Sequence, residues 1–286
     1  MKLPPFSIHR PGSVREASRL LDELGDEAAA YCGGTELLLA MKLGLANYAH
    51  LVDLKRVDGL CGIARHDGGL RIGAATTHYE LESSPEVRAW CPAMTAMSSQ
   101  VANLRVRSAG TIGGNLCFAD PHSDPATFLI AAGASMVCQK GDEIRRIPAG
   151  EFVTGPYQTL LEPGELLVAV ELPALPDGTG LAHVRMKLHE RPVVTVAAMV
   201  QLARGTVSQA RLVIGSVGAV PVSADAAESV LGASAANFDA QAEAGAEQAA
   251  LASRPLPDGD CSPEYLRHLV GIYSRQALTA AFAAAL

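Results

Sequence analysis

The chain has 286 residues, 49% hydrophobic and 19% charged, with a formal net charge of −7. That length bounds one large domain or two to three smaller ones around a substantial core. The acidic balance argues against nucleic acid or an anionic membrane surface as the main partner, and no apolar run reaches the ~18–20 residues that span a bilayer.

The amino terminus, Met1-Lys2-Leu3-Pro4-Pro5-Phe6, has no signal-like apolar run, so cytoplasmic residence is expected. Ser13 and Glu16 then form a capping box, with Val14, Ala17, Leu20, Leu21 and Leu24 on one helical face and Gly25 as the stop. Residues 28–32 read as a strand entering a Gly33-Gly34 turn, with a helix from Leu37 to Gly44. A strand at 50–54 closes a βαβ-like unit near Lys55. Residues 61–65 and 70–74 read as a hairpin around Asp67-Gly68-Gly69. Thr77 and Glu80 make a second capping box, and Pro85 starts a longer helix through Trp90, Met94 and Met97.

A second glycine turn follows in Gly110-Thr111-Ile112-Gly113-Gly114-Asn115. A polar loop leads from it to Asp124, read as an N-cap, with Pro125 as first helical residue and Gly133 as stop. Residues 135–139 and 143–147 pair across Lys140-Gly141-Asp142, and 166–172 is a further strand. Pro173 to Gly180 is the clearest linker. Strands at 182–187, 193–203 and 210–215 come next, then alanine-rich helices at 224–231, 236–252 and 263–285.

The two glycine pairs carry the chemistry. Gly-Gly removes two Cβ atoms and permits positive φ, so backbone N–H groups can lie against an oxyanion. Taken singly, each pair in a chain with 27 glycines is most simply a turn. Neither fits G-x-G-x-x-G or G-x-x-x-x-G-K-[ST], yet two such turns suit a ligand with two phosphates, such as a dinucleotide. The six cysteines, Cys32, Cys61, Cys91, Cys117, Cys138 and Cys261, are scattered without a C-x-x-C pair, and no metal site is expected. His122-Ser123-Asp124 is adjacency without the G-x-S-x-G context of a hydrolase.

Four segments make the pattern specific: Tyr31-Cys-Gly-Gly-Thr-Glu-Leu37, Arg107-Ser-Ala-Gly-Thr-Ile-Gly-Gly-Asn115, Asp120-Pro-His-Ser-Asp124-Pro125 and Thr159-Leu-Leu-Glu-Pro-Gly-Glu-Leu-Leu167. In this order and spacing the chain resembles the FAD-binding medium subunit of the molybdenum hydroxylases, the family of aerobic carbon monoxide dehydrogenase and xanthine dehydrogenase. The resemblance extends through Arg211 to Val222. It implies an α+β chain with the para-cresol methylhydroxylase-like FAD-binding fold: two α/β subdomains at 1–55 and 56–176, then a C-terminal antiparallel sheet with helices at 177–286.

The resemblance also implies a site. Ala30, Tyr31, Cys32, Gly33, Gly34, Thr35, Glu36 and Leu37 match the family's first flavin loop, and Thr111, Ile112, Gly113, Gly114 and Asn115 the second. Asp124 falls where the family places a carboxylate that bonds the cofactor, Leu167 at an apolar contact, and Lys187 at a basic residue near it. Val101 stands where relatives have a larger side chain, and Thr76 and Thr77 match a hydroxyl-bearing turn beside the flavin. Arg107-Ser108-Ala109 and the acidic Asp120 depart from the usual pattern. The implied role is electron transfer through FAD, between a small [2Fe-2S] chain fed by a large molybdenum-cofactor chain and an external acceptor. The implied assembly is a dimer of heterotrimers, with no catalytic acid or base in this chain. A self-sufficient flavin dehydrogenase or oxidase, or a non-catalytic nucleotide-binding module, stand as alternatives.

Overall fold

The protein is described by a computed structural model that covers residues 2–188, 190–257, 259 and 261–286. The first sheet is parallel, with His50–Asp53 between Ser7–His9 and Ala28–Tyr31. Parallel neighbours need crossover connections, here supplied by the helices Val14–Leu24 and Leu37–Leu43. Ser7–His9 escapes detection in the sequence because three residues are too few to show a period. The expected first capping box is half formed. Ser13 accepts from the Glu16 N–H at 3.2 Å, while the Glu16 carboxylate accepts from Gly12 instead of from Ser13.

The second sheet is antiparallel, in the order Ile63–His66, Gly69–Gly73, Leu166–Leu172, Ser135–Lys140, Glu143–Pro148. Its middle strand, Leu166–Leu172, is covered on both faces, which is why it is apolar without alternation. Leu167, Val170 and Leu172 join a core with Ile72, Met94 and Phe128, while Leu166, Val168 and Ala169 pack with Ala17, Val52 and Leu54. A register shift between Leu167 and Ala169 leaves Val168 O free to accept from Ala74 N at 3.0 Å. The longer helix expected from Pro85 is two helices, Pro85–Trp90 and Pro92–Gln100. Pro92 has no N–H and drives Cys91 into extended backbone (φ −160, ψ 111), so the first helix must stop.

The third sheet is antiparallel: Thr179–Leu188, Arg191–Ala203, Thr206–Gly215 and the short Val222–Ser223. The helices Phe238–Ala252 and Pro263–Ala285 share its core through Val196, Leu212, Phe238, Leu266 and Leu278. Gly180 allows that contact, since a Cβ there would stand 1.9 Å from Ala281 O. The helix expected at 224–231 is a 3-10 segment, Asp225–Val230. Among the described residues no helix is long and apolar enough to cross a membrane.

Candidate functional site

A cleft of about 380 Å³ opens where the three sheets meet, a size ordinary for a cofactor site. Its walls are the turn from Cys32 to Leu37, the second glycine turn with Cys117 and Phe118, the strand segment Leu166–Leu167, and Glu190, Arg191 and Pro192 from the third sheet. Val101, Val106, Leu54, Leu60 and Leu161 supply apolar surface. Burial pushes the Cys117 thiol up to about 12 and raises Cys32 as well, so both stay uncharged in the wall.

The first turn is held by two glycines for different reasons. Gly34 is left-handed at φ +69, and a Cβ there would meet the Tyr31 ring at 2.5 Å. A Cβ on Gly33 would stand 2.1 Å from Ala109 O, so the two turns touch backbone to backbone. None of the N–H groups of Gly33, Gly34, Thr35 and Glu36 donates to a protein acceptor among the described residues. They are a row of unused donors on the cleft wall.

The second pair is arranged otherwise. The sequence reads it as a turn ahead of a polar loop. Instead it lies in the first turn of a helix, Ile112–Phe118, capped by Thr111, whose hydroxyl accepts from Gly114 N at 3.0 Å. Gly113 and Gly114 have ordinary negative φ. Ile112 N donates to Thr76 O and Gly113 N to Ala74 O, at 3.0 and 2.8 Å. A Cβ on Gly113 would meet Ala74 O at 2.7 Å, so this glycine lets the helix sit down on the second sheet.

Asp124 is buried, but Ser123 takes the N-cap position and Asp124 the first helical one. The carboxylate turns instead to the third sheet, where Arg185 Nη1 reaches Oδ2 at 2.5 Å and donates from its other nitrogens to Gln100. Burial pushes Asp124 up to about 6 against the pull of Arg185. Its Oδ1 has no hydrogen-bond partner among the described residues, with His183 Nε2 3.5 Å away. Asp120 is held by Arg191 and by the His122 N–H, and Arg191 also reaches Glu36 at 3.2 Å. One arginine of the third sheet thus links the first turn to the loop that follows the helix Ile112–Phe118.

Of the residues singled out by sequence, the structure brings Ala30, Cys32, Gly33, Gly34, Thr35, Glu36, Leu37, Val101, Thr111, Gly113, Gly114, Asn115, Asp124 and Leu167 to the cleft wall. Five others lie behind it or away from it. Tyr31 packs under Gly34 with Lys55 over its ring, and Ile112 is buried in the core. Thr76 spends its hydroxyl on Gly62, and Thr77 caps a helix through Glu80. Lys187 is exposed, because a register shift after Met186 breaks the alternation that carries His183 and Arg185 inward. Sequence reasoning missed His78, Leu161 and Arg191. Arg191 offers no local signal, since its partners lie in other elements; the capping box beside His78 places it near the second turn only once Gly110 is known to accept its N–H.

Comparison with known proteins agrees with this geometry. Residues 4–175 match the FAD binding domain in molybdopterin dehydrogenase, and residues 183–281 the CO dehydrogenase flavoprotein C-terminal domain. The chain is 34% identical over 282 residues to the carbon monoxide dehydrogenase medium chain of Hydrogenophaga pseudoflava, covering 98% of each. It is 30% identical over 284 residues to a putative xanthine dehydrogenase FAD-binding subunit of Escherichia coli, covering 98% of this chain and 97% of the other. A solved carbon monoxide dehydrogenase from Hydrogenophaga pseudoflava, lacking the Mo-pyranopterin moiety of the molybdenum cofactor, superposes with a TM-score of 0.94 at 35% identity over 99% of both chains.

Proposed function

Since the chain belongs to the FAD-binding medium-subunit family of the molybdenum hydroxylases, we propose that it is the electron-transfer flavoprotein of such a complex, with one FAD bound non-covalently in the cleft. The observation that carries this reading is the row of N–H donors from Gly33 to Glu36, unused among the described residues, in the wall of a cleft that also offers apolar surface from Val101, Val106, Leu54 and Leu60. A pyrophosphate supplies the acceptors those donors lack. Asp124 Oδ1, buried and unpartnered, fits a hydroxyl of the ribityl or ribose part. Thr111 and Asn115 offer side-chain polar groups from the second turn, while Val101 and Leu167 give apolar contact. Tyr31, Thr76, Thr77 and Ile112 support these residues from behind, and Lys187 acts on Asp124 through its field.

Bound FAD would supply one-electron acceptance with one- or two-electron release, which suits an outlet for electrons drawn from substrate at a large molybdenum-bearing chain and relayed singly by a small [2Fe-2S] chain. This chain's own part is binding, orientation and a fixed charge pattern. The neutral thiols of Cys32 and Cys117 and the Arg185–Asp124 pair hold that pattern near neutral pH. No residue here is assigned as catalytic acid or base. The same proposal includes a dimer of heterotrimers, cytoplasmic residence, and division at 1–55, 56–176 and 177–286, which is supported by one principal sheet falling in each segment.

The test is to purify the chain with whatever co-elutes, then compare the isolated flavin-loaded chain with the whole complex on the complex's own substrate. A yellow protein that releases FAD on acid precipitation, with turnover confined to the complex, is the expected result. A colourless chain that FAD cannot reconstitute removes the proposal. Comparable turnover by the single chain replaces it with a self-sufficient flavoenzyme.

A further inference from the structure

We propose that His78 is a further cofactor contact, its imidazole hydrogen-bonding bound FAD from the wall between the two glycine turns. This rests on the FAD reading above. His78 opens the helix His78–Ser83, whose start is set by the Thr77–Glu80 capping box, and its N–H donates to Gly110 O at 3.0 Å. Backbone bonding therefore fixes the side chain's origin beside the second turn. A Cβ built on Gly110 would lie 3.4 Å from Thr35 Oγ1 and 3.6 Å from His78 Cδ2. The ring, the second turn and the hydroxyl of the first turn thus converge on one spot.

His78 is 2% exposed and lines the cleft, yet its Nδ1 has no hydrogen-bond partner among the described residues. Buried polar atoms are nearly always paired in native proteins, so an unpartnered imidazole nitrogen in a cofactor wall points to bonding that the seated ligand completes. His183 shows why the position matters. Both of its ring nitrogens are also unpartnered, but it is absent from the cleft wall and packs edge-on to Phe128. Burial, with Arg107 nearby, lowers His78 to about 4. The ring therefore stays neutral, with one donor and one acceptor nitrogen, and contributes no charge to the phosphates.

The experiment is FAD titration of the deflavinated full chain by flavin fluorescence, comparing wild type with His78→Leu, His78→Asn and His78→Gln. Asn places a polar atom near the Nδ1 position and Gln near Nε2. His78→Leu should weaken FAD about 10- to 100-fold with circular dichroism unchanged, the size expected for losing one buried hydrogen bond. Either Asn or Gln should recover most of that loss and so identify the bonding nitrogen. Wild-type affinity in a folded His78→Leu protein overturns the proposal, as does failure of both polar variants to recover anything, which would point to packing alone. Should His78→Leu fail to fold, the other two variants decide. About a fivefold or greater gap between Asn and Gln supports a contact through one nitrogen, and equal affinities overturn it. A wild-type chain that takes up no FAD rejects the underlying reading instead, so the two failures are distinct.

Discussion

Gly33-Gly34 and Gly113-Gly114 each introduce a helix, Leu37–Leu43 and Ile112–Phe118, and each lines the cleft. They part company in the destination of their backbone donors. The first turn has a left-handed Gly34 and leaves the N–H groups of Gly33 to Glu36 without an acceptor among the described residues. The second sends the N–H groups of Ile112, Gly113 and Gly114 to Thr76 O, Ala74 O and Thr111 Oγ1. A missing Cβ thus has two uses here. In the first turn it permits a curved backbone with open donors, and in the second it permits a helix to settle on a sheet.

The largest effect should come from Gly33→Ala. The added Cβ would press on Ala109 O, a backbone oxygen that cannot swing aside. Flavin retention should fall about 100-fold or more as the donor row shifts from its acceptors, read as the flavin-to-protein ratio after gel filtration. A fully loaded variant would mean that the two turns do not abut as described.

Acid should strain the second turn's side of the cleft next. His78 is held at about 4 in the folded chain against about 6.5 unfolded, so the unfolded chain binds the extra proton between those values. Stability from this group is complete above about pH 6.5 and is lost as pH falls to about 4, on the order of 3 kcal/mol. His183, lowered to about 3 by burial, acts in the same direction. Asp124, raised to about 6, works oppositely over part of the window and offsets some of the loss. The deflavinated chain should therefore melt earlier with each step below pH 6.5, and His78→Leu should flatten that slope. An identical slope in the variant would show that His78 is not held neutral.

Gly113→Ala should cost about 2 kcal/mol, because the new methyl meets the Ala74 backbone and lifts the helix. Gly114→Ala meets Thr111 Oγ1 at 2.9 Å, a side-chain atom rather than backbone, and its φ is already ordinary, so it should cost no more than losing that cap, about 1 kcal/mol. Denaturant melts of the pair are the sharpest check that this turn is a docked helix start. Equal costs would count against it. Thr111→Ala removes the cap on Gly114 N and should cost about 1 kcal/mol. The smallest effect belongs to Arg191→Ala. This arginine is half exposed, so its pairs with Glu36 and Asp120 are worth below ~1 kcal/mol. FAD release, followed by stopped-flow fluorescence, should quicken about two- to threefold at low salt, and the difference should vanish in high salt. Persistence in high salt would assign Arg191 a contact beyond ion pairing.

Local chemistry was readable where it acts over a few residues. The strand Leu166–Leu172 and the alanine-rich helix Pro263–Ala285 stand where the sequence places them. Gly44 and Gly133 end their helices in left-handed backbone as expected. Errors fall where two local rules compete. Apolar periodicity through Trp90 and Met94 suggested one helix, and Pro92 overrode it. Asp124 and Ser123 are both good caps, and Asp124 was taken by Arg185 from a strand far along the chain. Lys187 would have pointed inward had the strand kept its register past Met186.

The sequence by itself determined which segments could become strands and helices, two glycine pairs as candidate phosphate turns, and the family that those motifs resemble. Those features depend on φ/ψ preference, capping and side-chain period, all of them short-range. Only the tertiary structure decided that Gly33 to Glu36 keep their donors while Ile112 to Gly114 surrender theirs. It also decided that Arg185 and Arg191 reach from the third sheet to Asp124, Asp120 and Glu36. A hydrogen bond is satisfied by whichever partner folding brings within about 3 Å, and for Ala74, Ala109 and the two arginines that proximity is set by how three sheets pack, which no local pattern encodes.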